Sequence, residues 1–570
     1  MTSCLDFQNA NCKNCYKCLR SCPVKAIAVT NHQARIIDER CILCGTCTHV
    51  CPQNAKHVHS DKDEVYTMLS SGEKIIASVA PSFISSFGIR DFSLMKIALG
   101  KLGFFDSAET SVGANLVVKK YNELLLEKEY KNFITSACPA VNTLIQLYYP
   151  KALPYLAPVD SPMLAHTKIL KSQNKDAKIV FIGPCIAKKK EAQQSGIIDA
   201  TLTFEDLAEM LEEEGIIFDD IAKLSIEKPS IEINKAKFFP ISSGIIKSFN
   251  ILPSGYEYVA IDGVQKCMEI LENIESLSGM FLELNACDYS CVNGPCSLTK
   301  KGSAIKANSD IRNYVNLDLI HTIYSPKLEP SVVDITTIYP RIKTNSMPVS
   351  EKRTNEILAM TGKLKPSDEL NCGACGYSSC REKAWAVANG YAELEMCLPY
   401  MRERAETMAY EILQNSPNGI VVLDSDLKLI EINAKAIKIY GVDGTNYKGR
   451  DFVDFENPTD FVLAQLENKN LIRKKIYISK TKTYVEMTII ILKEHNILFG
   501  FLTDITEEVS YNEKLSKVRS DTIATTDEVI KKQMRVAQEI ASLLGETTAE
   551  TKVALLKLKK VLSEAEKKGE

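Results

Sequence analysis

The chain has 570 residues, 45% of them hydrophobic and 25% charged, with a net charge of −3. At roughly 100–200 residues per domain this length predicts about three to five globular domains, and the balanced charge gives no field that would select nucleic acid or an anionic membrane. No apolar run approaches the roughly 18 residues of a bilayer span. The first residues, Met1-Thr2-Ser3-Cys4-Leu5-Asp6-Phe7, show no basic or apolar export signal, so a cytoplasmic location is expected. The outlying number is 19 cysteines. A chain this long buries a full core without staples, so metal or redox ligation is a better reading of these thiols than a disulfide framework.

Residues 1–60 hold an internal repeat. Cys12, Cys15, Cys18 and Cys22 recur as Cys41, Cys44, Cys47 and Cys51, each displaced by 29 residues, and Pro23 and Pro52 follow the last cysteine of each set. Thiolates this closely spaced wrap a loop around one object. The run Cys-x2-Cys-x2-Cys-x3-Cys-Pro resembles bacterial two-cluster ferredoxins, in which the fourth cysteine ligates the other cluster. The resemblance implies one [4Fe-4S] cube on Cys12, Cys15, Cys18 and Cys51, and a second on Cys41, Cys44, Cys47 and Cys22. Zinc sites would not explain eight cysteines sharing one offset.

Residues 70–335 alternate short β-rich runs with helical stretches. Lys74–Val79 and Lys178–Gly183 read as buried strands of an α/β domain. Three cysteine loops follow predicted strands: Thr135-Ser136-Ala137-Cys138-Pro139-Ala140, Gly183-Pro184-Cys185-Ile186-Ala187-Lys188-Lys189-Lys190-Glu191, and Asn285-Ala286-Cys287-Asp288-Tyr289-Ser290-Cys291-Val292-Asn293-Gly294. Thiolates at the carboxyl edges of strands stand where α/β domains place their sites. Taken singly, each would be an ordinary core cysteine.

Together these loops resemble the [FeFe]-hydrogenase family over about residues 1–335. The resemblance implies a [4Fe-4S] cube on Cys138, Cys185, Cys287 and Cys291. Cys291 would also bridge to a two-iron subsite bearing CO, CN and a dithiolate amine. Lys188 matches the lysine that donates to a cyanide, the work of an ammonium in a dry pocket. A solvated lysine run is the alternative. Ala80, Pro81, Ser82, Pro139, Pro184 and Ser243 match further pocket positions.

The chain departs from the family at several points. Fast members have two adjacent cysteines in the first loop, the earlier relaying protons; here that position is Ala137. The acids that continue the relay are replaced after Ala114-Asn115-Leu116 by Val117, Val118, Lys119, Lys120 and Tyr121. Two family methionines are matched by Gly183 and Asn285, and a glutamine by Met163. Glu191 is retained. Slow turnover and long-lived redox states are expected, which suit a sensor better than a metabolic enzyme.

A linker with Pro340 and Pro348 leads to a small helical unit at 350–400. Cys372, Cys375, Cys380 and Cys397 have the spacing Cx2Cx4Cx16C. The unit resembles the four-cysteine Fe–S domain of corrinoid iron–sulfur proteins, with a Cys4 zinc site as the alternative. Trp385, the only tryptophan, is expected to pack it.

Residues 405–510 lack cysteine. Ile420–Asp424, Lys428–Asn433, Tyr484–Ile489 and Ile497–Leu502 read as an antiparallel sheet. Leu413-x-x-Ser416-Pro417-Asn418-Gly419-Ile420-Val421-Val422-Leu423-Asp424, Ile432-Asn433-Ala434-Lys435-Ala436 and Gly500-Phe501-Leu502-Thr503-Asp504-Ile505-Thr506 resemble a PAS domain. With no cysteine in the domain a flavin adduct is excluded, and His495 is expected to be exposed rather than a haem ligand. Residues 511–570 are charged and helical. Val529, Gln533, Val536, Ile540 and Leu543 follow a 3/4 spacing, and Thr547-Thr548-Ala549-Glu550 offers a capping box after Gly545.

The expected fold is therefore multidomain α/β. It comprises a 2[4Fe-4S] ferredoxin domain (1–60), an α/β H-cluster domain (70–335), a small helical 4Fe-4S domain (350–400), an α+β PAS domain (405–510) and C-terminal helices (511–570). The order resembles sensory (HydS-type) [FeFe]-hydrogenases. That resemblance implies H2 and protons as substrates, a ferredoxin-like electron partner, hydrogenase maturation proteins and a kinase or phosphatase acting in trans. It also implies a homodimer formed through the PAS domain and helices, with no nucleic acid and no membrane partner. Two other readings remain: a redox-signalling protein with [4Fe-4S] clusters alone, and a metabolic H2 producer, which Ala137 and the PAS tail disfavour. Cys4, Cys267 and Cys296 have no assigned role.

Overall fold

The alternating runs of the central region build two parallel sheets in the computed structural model, which describes residues 4–7, 11–127, 130–224, 234–299, 303–320, 333–344, 347–442, 447–544 and 552–560. The chain divides into two units, Met1–Tyr400 and Met401–Glu570.

In the first unit, one sheet orders its strands Asp106–Glu109, Ile75–Val79, Lys178–Gly183 and Ala200–Thr203. All its pairs are parallel, with Val79 opposite Glu109 and Ile182, and Ile182 opposite Leu202. The second sheet orders Glu257–Asp262, Met280–Asn285 and Asn132–Ile134, again parallel, with Leu282 opposite Ile134. Ile75–Val79 is buried throughout, as a strand covered on both faces must be. Parallel strands point their carboxyl ends the same way, so the loops that follow gather at one end of each sheet. Those are Ala80–Ser82, Thr110–Ser111, Ala137–Pro139, Pro184–Cys185 and the Cys287–Cys291 loop.

The N-terminal repeat is also structural. Helices Lys17–Ser21 and Thr46–His49 carry Cys18 and Cys47, and each starts from a left-handed residue, Tyr16 or Gly45. The hairpin Ile27–Thr30/Gln33–Ile36 and the pair Leu5–Phe7/Lys56–Val58 close the domain. Gly45 is at φ +75, and a Cβ there would stand 2.3 Å from Pro295 Cβ. Only glycine lets the second ferredoxin loop sit this close to the loop after Cys291.

The four-cysteine unit is helical, with helices Glu351–Met360 and Cys380–Ala388. Trp385 packs on Tyr391 at 5.9 Å between ring centres, as expected. Cys18, Leu19, Cys22, Leu144, Leu282, Tyr377 and Met396 lie in one continuous buried cluster.

The second unit contains a five-stranded antiparallel sheet, ordered Leu429–Ile432, Gly419–Leu423, Ile497–Asp504, Thr483–Leu492 and Leu471–Ile478. It closes over Val421, Leu423, Tyr440, Phe452, Phe461 and Val485. His495 is exposed between its last two strands in sequence. A helix follows from Thr506 to Leu544, five residues earlier than the expected tail boundary. Val529, Val536 and Ile540 on it are exposed within the chain. Gly545 and the capping box at 547–550 lie outside the described residues. No described helix is long and apolar enough to cross a membrane.

Candidate cluster sites and central cavity

Cys12, Cys15, Cys18 and Cys51 line one cavity, which brings the last cysteine of the second motif to the first three of the first. The other set faces itself: burial pushes the Cys41 thiol up to about 12 and the Cys22 thiol up to about 11, and Cys41 and Cys47 both feel Cys22 and Cys44. Among the described residues no three His, Cys, Asp or Glu side chains converge on a single-ion position. The thiols instead surround space.

The four-cysteine unit repeats this pattern. Cys372, Cys375, Cys380 and Cys397 line one cavity with Lys363 and Lys383. Both lysines are buried, at 9% and 6% exposure, and Lys363 Nζ donates to Cys397 Sγ at 3.4 Å. Burial pushes the Lys383 ammonium down, while Cys397 and Cys375 pull it up. Buried cations require anions, and a four-thiolate iron–sulfur core supplies net negative charge. Lys363→Met is expected to shift the reduction potential of a cube here to more negative values with iron content retained. An EPR-monitored potentiometric titration checks this; an unchanged potential would show that the ammonium is not felt.

The central site stands where the strand ends gather. One cavity is lined by Ala80, Pro81, Ser82, Ala137, Cys138, Met163, Pro184, Cys185, Lys188, Asn285 and Cys291. Cys287 borders a neighbouring cleft together with Cys44. Burial raises the Cys287 thiol, and Cys185, Cys291 and Cys138 raise it further; Cys291 likewise feels Cys138 and Cys185. Burial also pushes the Cys185 thiol up to about 11. Thiols crowded into a dry space this way are costly as free anions and are stabilised by an iron–sulfur core. Ser82 Oγ is buried in the cavity without a partner, an available donor for a bound group. Pro139 and Ser243 do not line the cavity; Pro139 opens helix Pro139–Tyr148, and Ser243 caps helix Gly244–Ser248 at φ 59.

Lys188 is no solvated lysine. Its side chain is 12% exposed and its Nζ donates to Glu191 Oε2 at 2.8 Å, one turn along helix Ile186–Ser195. Ser161 Oγ donates to the same oxygen at 2.9 Å. Gly183 leaves room that the Phe181 ring fills: a Cβ at 183 would lie 2.8 Å from Phe181 Cζ, and Phe181 lines the cavity.

Two buried carboxyls behind the lining were missed in the sequence. Ser111, which lines the cavity, donates from Oγ to Glu109 Oε2 at 3.1 Å, and Lys237 Nζ is 3.4 Å from Glu109 Oε1. Asn285 donates from Nδ2 to Asp262 Oδ1 at 3.2 Å and to Glu283 Oε1 at 3.5 Å. Burial pushes the Glu283 carboxyl up to about 8, Ile246 N–H and Gly244 N–H pull it down, and Asp262 raises it. A single acid inside the apolar run Met280–Asn285 gives no sequence signal of its neighbours.

The Glu283 shift sets a pH dependence. The folded state holds this proton up to about pH 8, whereas an ordinary carboxyl loses it near 4.5. The native chain therefore binds more protons than the unfolded chain between those values, and this group's contribution falls as pH rises through the window. Glu283→Gln is expected to flatten the loss of stability between about pH 5 and 8. Chemical denaturation at several pH values checks this; an identical pH profile would show that Glu283 is ionised in the native chain.

Family models match the chain in four places. They are the C-terminal domain of the iron-only hydrogenase large subunit, over residues 73–254, a 4Fe-4S dicluster domain at 11–55, an Fe-S cluster family at 368–399 and the PAS fold at 407–498. The chain is 30% identical over 318 residues to the periplasmic [Fe] hydrogenase large subunit of Nitratidesulfovibrio vulgaris, covering 43% of this chain and 75% of that protein. It is 48% identical over 44 residues to one component of the ion-translocating oxidoreductase complex of Methanosarcina acetivorans, covering 8% and 17%. A solved [FeFe]-hydrogenase from Chlamydomonas reinhardtii superposes with a TM-score of 0.40 at 15% identity, covering 50% of this chain and all of that one. With cysteine loops at the strand ends, a dicluster domain before them and a relative matched over three quarters of its length, this chain belongs to the iron-only hydrogenase large-subunit family.

Proposed function

We propose that the chain is a slow H2-sensing [FeFe]-hydrogenase that signals through its PAS domain. The observation that carries this reading is the cavity in which Cys138, Cys185 and Cys291 meet Lys188 and the unpartnered Ser82 hydroxyl. Cys138, Cys185, Cys287 and Cys291 would hold a [4Fe-4S] cube, with Cys291 also bridging to a two-iron subsite bearing CO, CN and a dithiolate amine. When bound, that group would supply redox-active iron for the interconversion of H2 with two protons and two electrons. Lys188, oriented by Glu191, and Ser82 offer donors to its anionic ligands. The remaining cysteine sets would hold three further [4Fe-4S] cubes.

Ala137 faces the cavity with a methyl group and carries no proton, so proton exchange falls to slower routes. Glu283, behind Asn285, retains a proton near neutral pH and is suited to store one. Slow exchange prolongs each redox state, which favours sensing over bulk turnover. A ferredoxin-like carrier, maturation proteins and a kinase or phosphatase in trans complete the scheme. The exposed Val529, Val536 and Ile540 on the helix Thr506–Leu544 offer a seam to a second copy.

Infrared spectroscopy after maturation with the two-iron cofactor tests the reading. CO and CN bands that change under H2 are expected. A chain that holds its [4Fe-4S] clusters and shows no such bands is instead a redox-signalling protein without the two-iron site.

A further inference from the structure

The four-cysteine unit is seated on the ferredoxin-type domain. Lys25, three residues after Cys22, donates from Nζ to Gly376 O at 2.8 Å and to Leu19 O and Arg20 O at 3.3 and 3.2 Å. It thereby ties the loop Cys375-Gly376-Tyr377 to the helix that carries Cys18 and ends at Cys22. Arg20 Nη1 adds a bond to Ala374 O at 3.4 Å. Gly376 is at φ +97, and a Cβ there would lie 2.8 Å from Leu19 Cγ, so loop and helix meet as closely as glycine allows.

A second contact starts beside another ligand of the same set. Arg40, which precedes Cys41, lies 4.8 Å over the Trp385 ring. Around it, Val29 N–H donates to Tyr391 O at 2.8 Å, and Tyr391 OH to Glu39 Oε1 at 3.1 Å. Tyr377 fills the space between: it is 3% exposed, its hydroxyl has no hydrogen-bond partner, and it feels both Cys375 and Cys22. On the opposite side, Gly45 packs on Pro295, and the Cys44 thiol feels Cys138. The set Cys22, Cys41, Cys44 and Cys47 thus stands between the central thiols and the C-terminal thiols.

We propose that the cube on Cys22, Cys41, Cys44 and Cys47 is an electron junction. It exchanges single electrons with the central cube across the Gly45–Pro295 contact, and with the cube on Cys372, Cys375, Cys380 and Cys397 across the Leu19–Gly376 and Arg40–Trp385 contacts. In each transfer one cube is oxidised by one electron and its neighbour is reduced by one; H2 oxidation or an added reductant is the source. Electron tunnelling falls steeply with distance, and close approach of two cube-bearing loops, as at Gly45–Pro295 and Gly376–Leu19, is what such a path requires. The cube on Cys12, Cys15, Cys18 and Cys51 then forms a separate branch toward an external carrier. The proposal rests on reading the four cysteine sets as cube ligands.

The test uses the full chain with its iron–sulfur clusters reconstituted and without the two-iron cofactor, reduced stepwise with a low-potential chemical reductant. EPR is expected to show the reduced C-terminal cube broadened by spin–spin interaction with the reduced junction cube. Gly376→Val is expected to abolish that broadening, and the paired Lys25→Met and Arg40→Met changes, which leave the glycine in place, should do the same with iron content unchanged. Full iron content with an isolated C-terminal signal in the unaltered chain would overturn the junction alone, as would broadening that survives both interface variants. Iron content short of four cubes would overturn the ligand reading and the junction with it.

Discussion

Ala137→Cys is expected to raise the H2 turnover of the matured protein on the order of 10- to 100-fold, short of the 10²–10⁴ of a fully connected general acid. Ala137 lines the central cavity beside Cys138, so a thiol there would stand inside the site. A methyl group has no exchangeable proton, whereas a thiol is a weak acid able to give and regain one. The gain is capped because the rest of the family relay is missing. Helix Ser111–Glu127 places Val118, Lys119 and Lys120 where acids would follow, and Lys120 is engaged with Glu123 at 3.2 Å. Ser161 and Glu191 remain linked to each other and to Lys188, giving a partial route. Rates of H2 evolution and oxidation, with their solvent isotope effects, check the expectation. A variant with the cysteine in place, its cofactor loaded and its rate unchanged would show that proton delivery does not limit this site.

The parts legible in the sequence were those with local signals. The 29-residue repeat, the cysteine loops after buried strands and the four PAS strands announce themselves through spacing, period and β-branched runs. The fifth strand, Leu471–Ile478, escaped because Arg473, Lys474 and Lys475 break its apolar alternation; it is an edge strand whose middle faces water. The buried Glu109 and Glu283 escaped for a different reason. Each is one acid in a short strand, and its environment comes from residues far along the chain: Tyr314 and Lys237 for one, Ile246 and Asp262 for the other. The same holds for Gly45 against Pro295 and Gly376 against Leu19, which read as ordinary turn glycines until their distant partners are placed. Even Lys188 was ambiguous in a run of three lysines. Helical geometry separates them: Lys188 meets Glu191, and Lys189 Nζ donates to Thr201 O at 2.6 Å, both away from bulk water.

Lys188→Met is expected to abolish retention of the two-iron cofactor, seen as loss of CO and CN infrared bands after maturation, while the iron–sulfur clusters remain. An ammonium has three donors; one is held by Glu191 Oε2, which leaves two for ligands in the cavity it lines. Methionine keeps most of the stem's volume but offers neither charge nor donor. The change also strands Glu191, whose side chain is 12% exposed and would keep only the Ser161 hydroxyl. Removing one partner of a buried pair costs about 3–5 kcal/mol, so a fall in thermal stability accompanies the loss of cofactor. Those two effects separate in a second variant. Adding Glu191→Gln to Lys188→Met removes the stranded charge and is expected to recover most of the stability without recovering the bands. Glu191→Gln alone keeps the ammonium, so the bands should remain, with shifted CN frequencies because the lysine is no longer held by an anion. Full, unshifted CO and CN bands in the Lys188→Met protein would show that this lysine is only a structural partner of Glu191, and the cavity would then have to hold its anionic ligands through Ser82 and backbone groups alone.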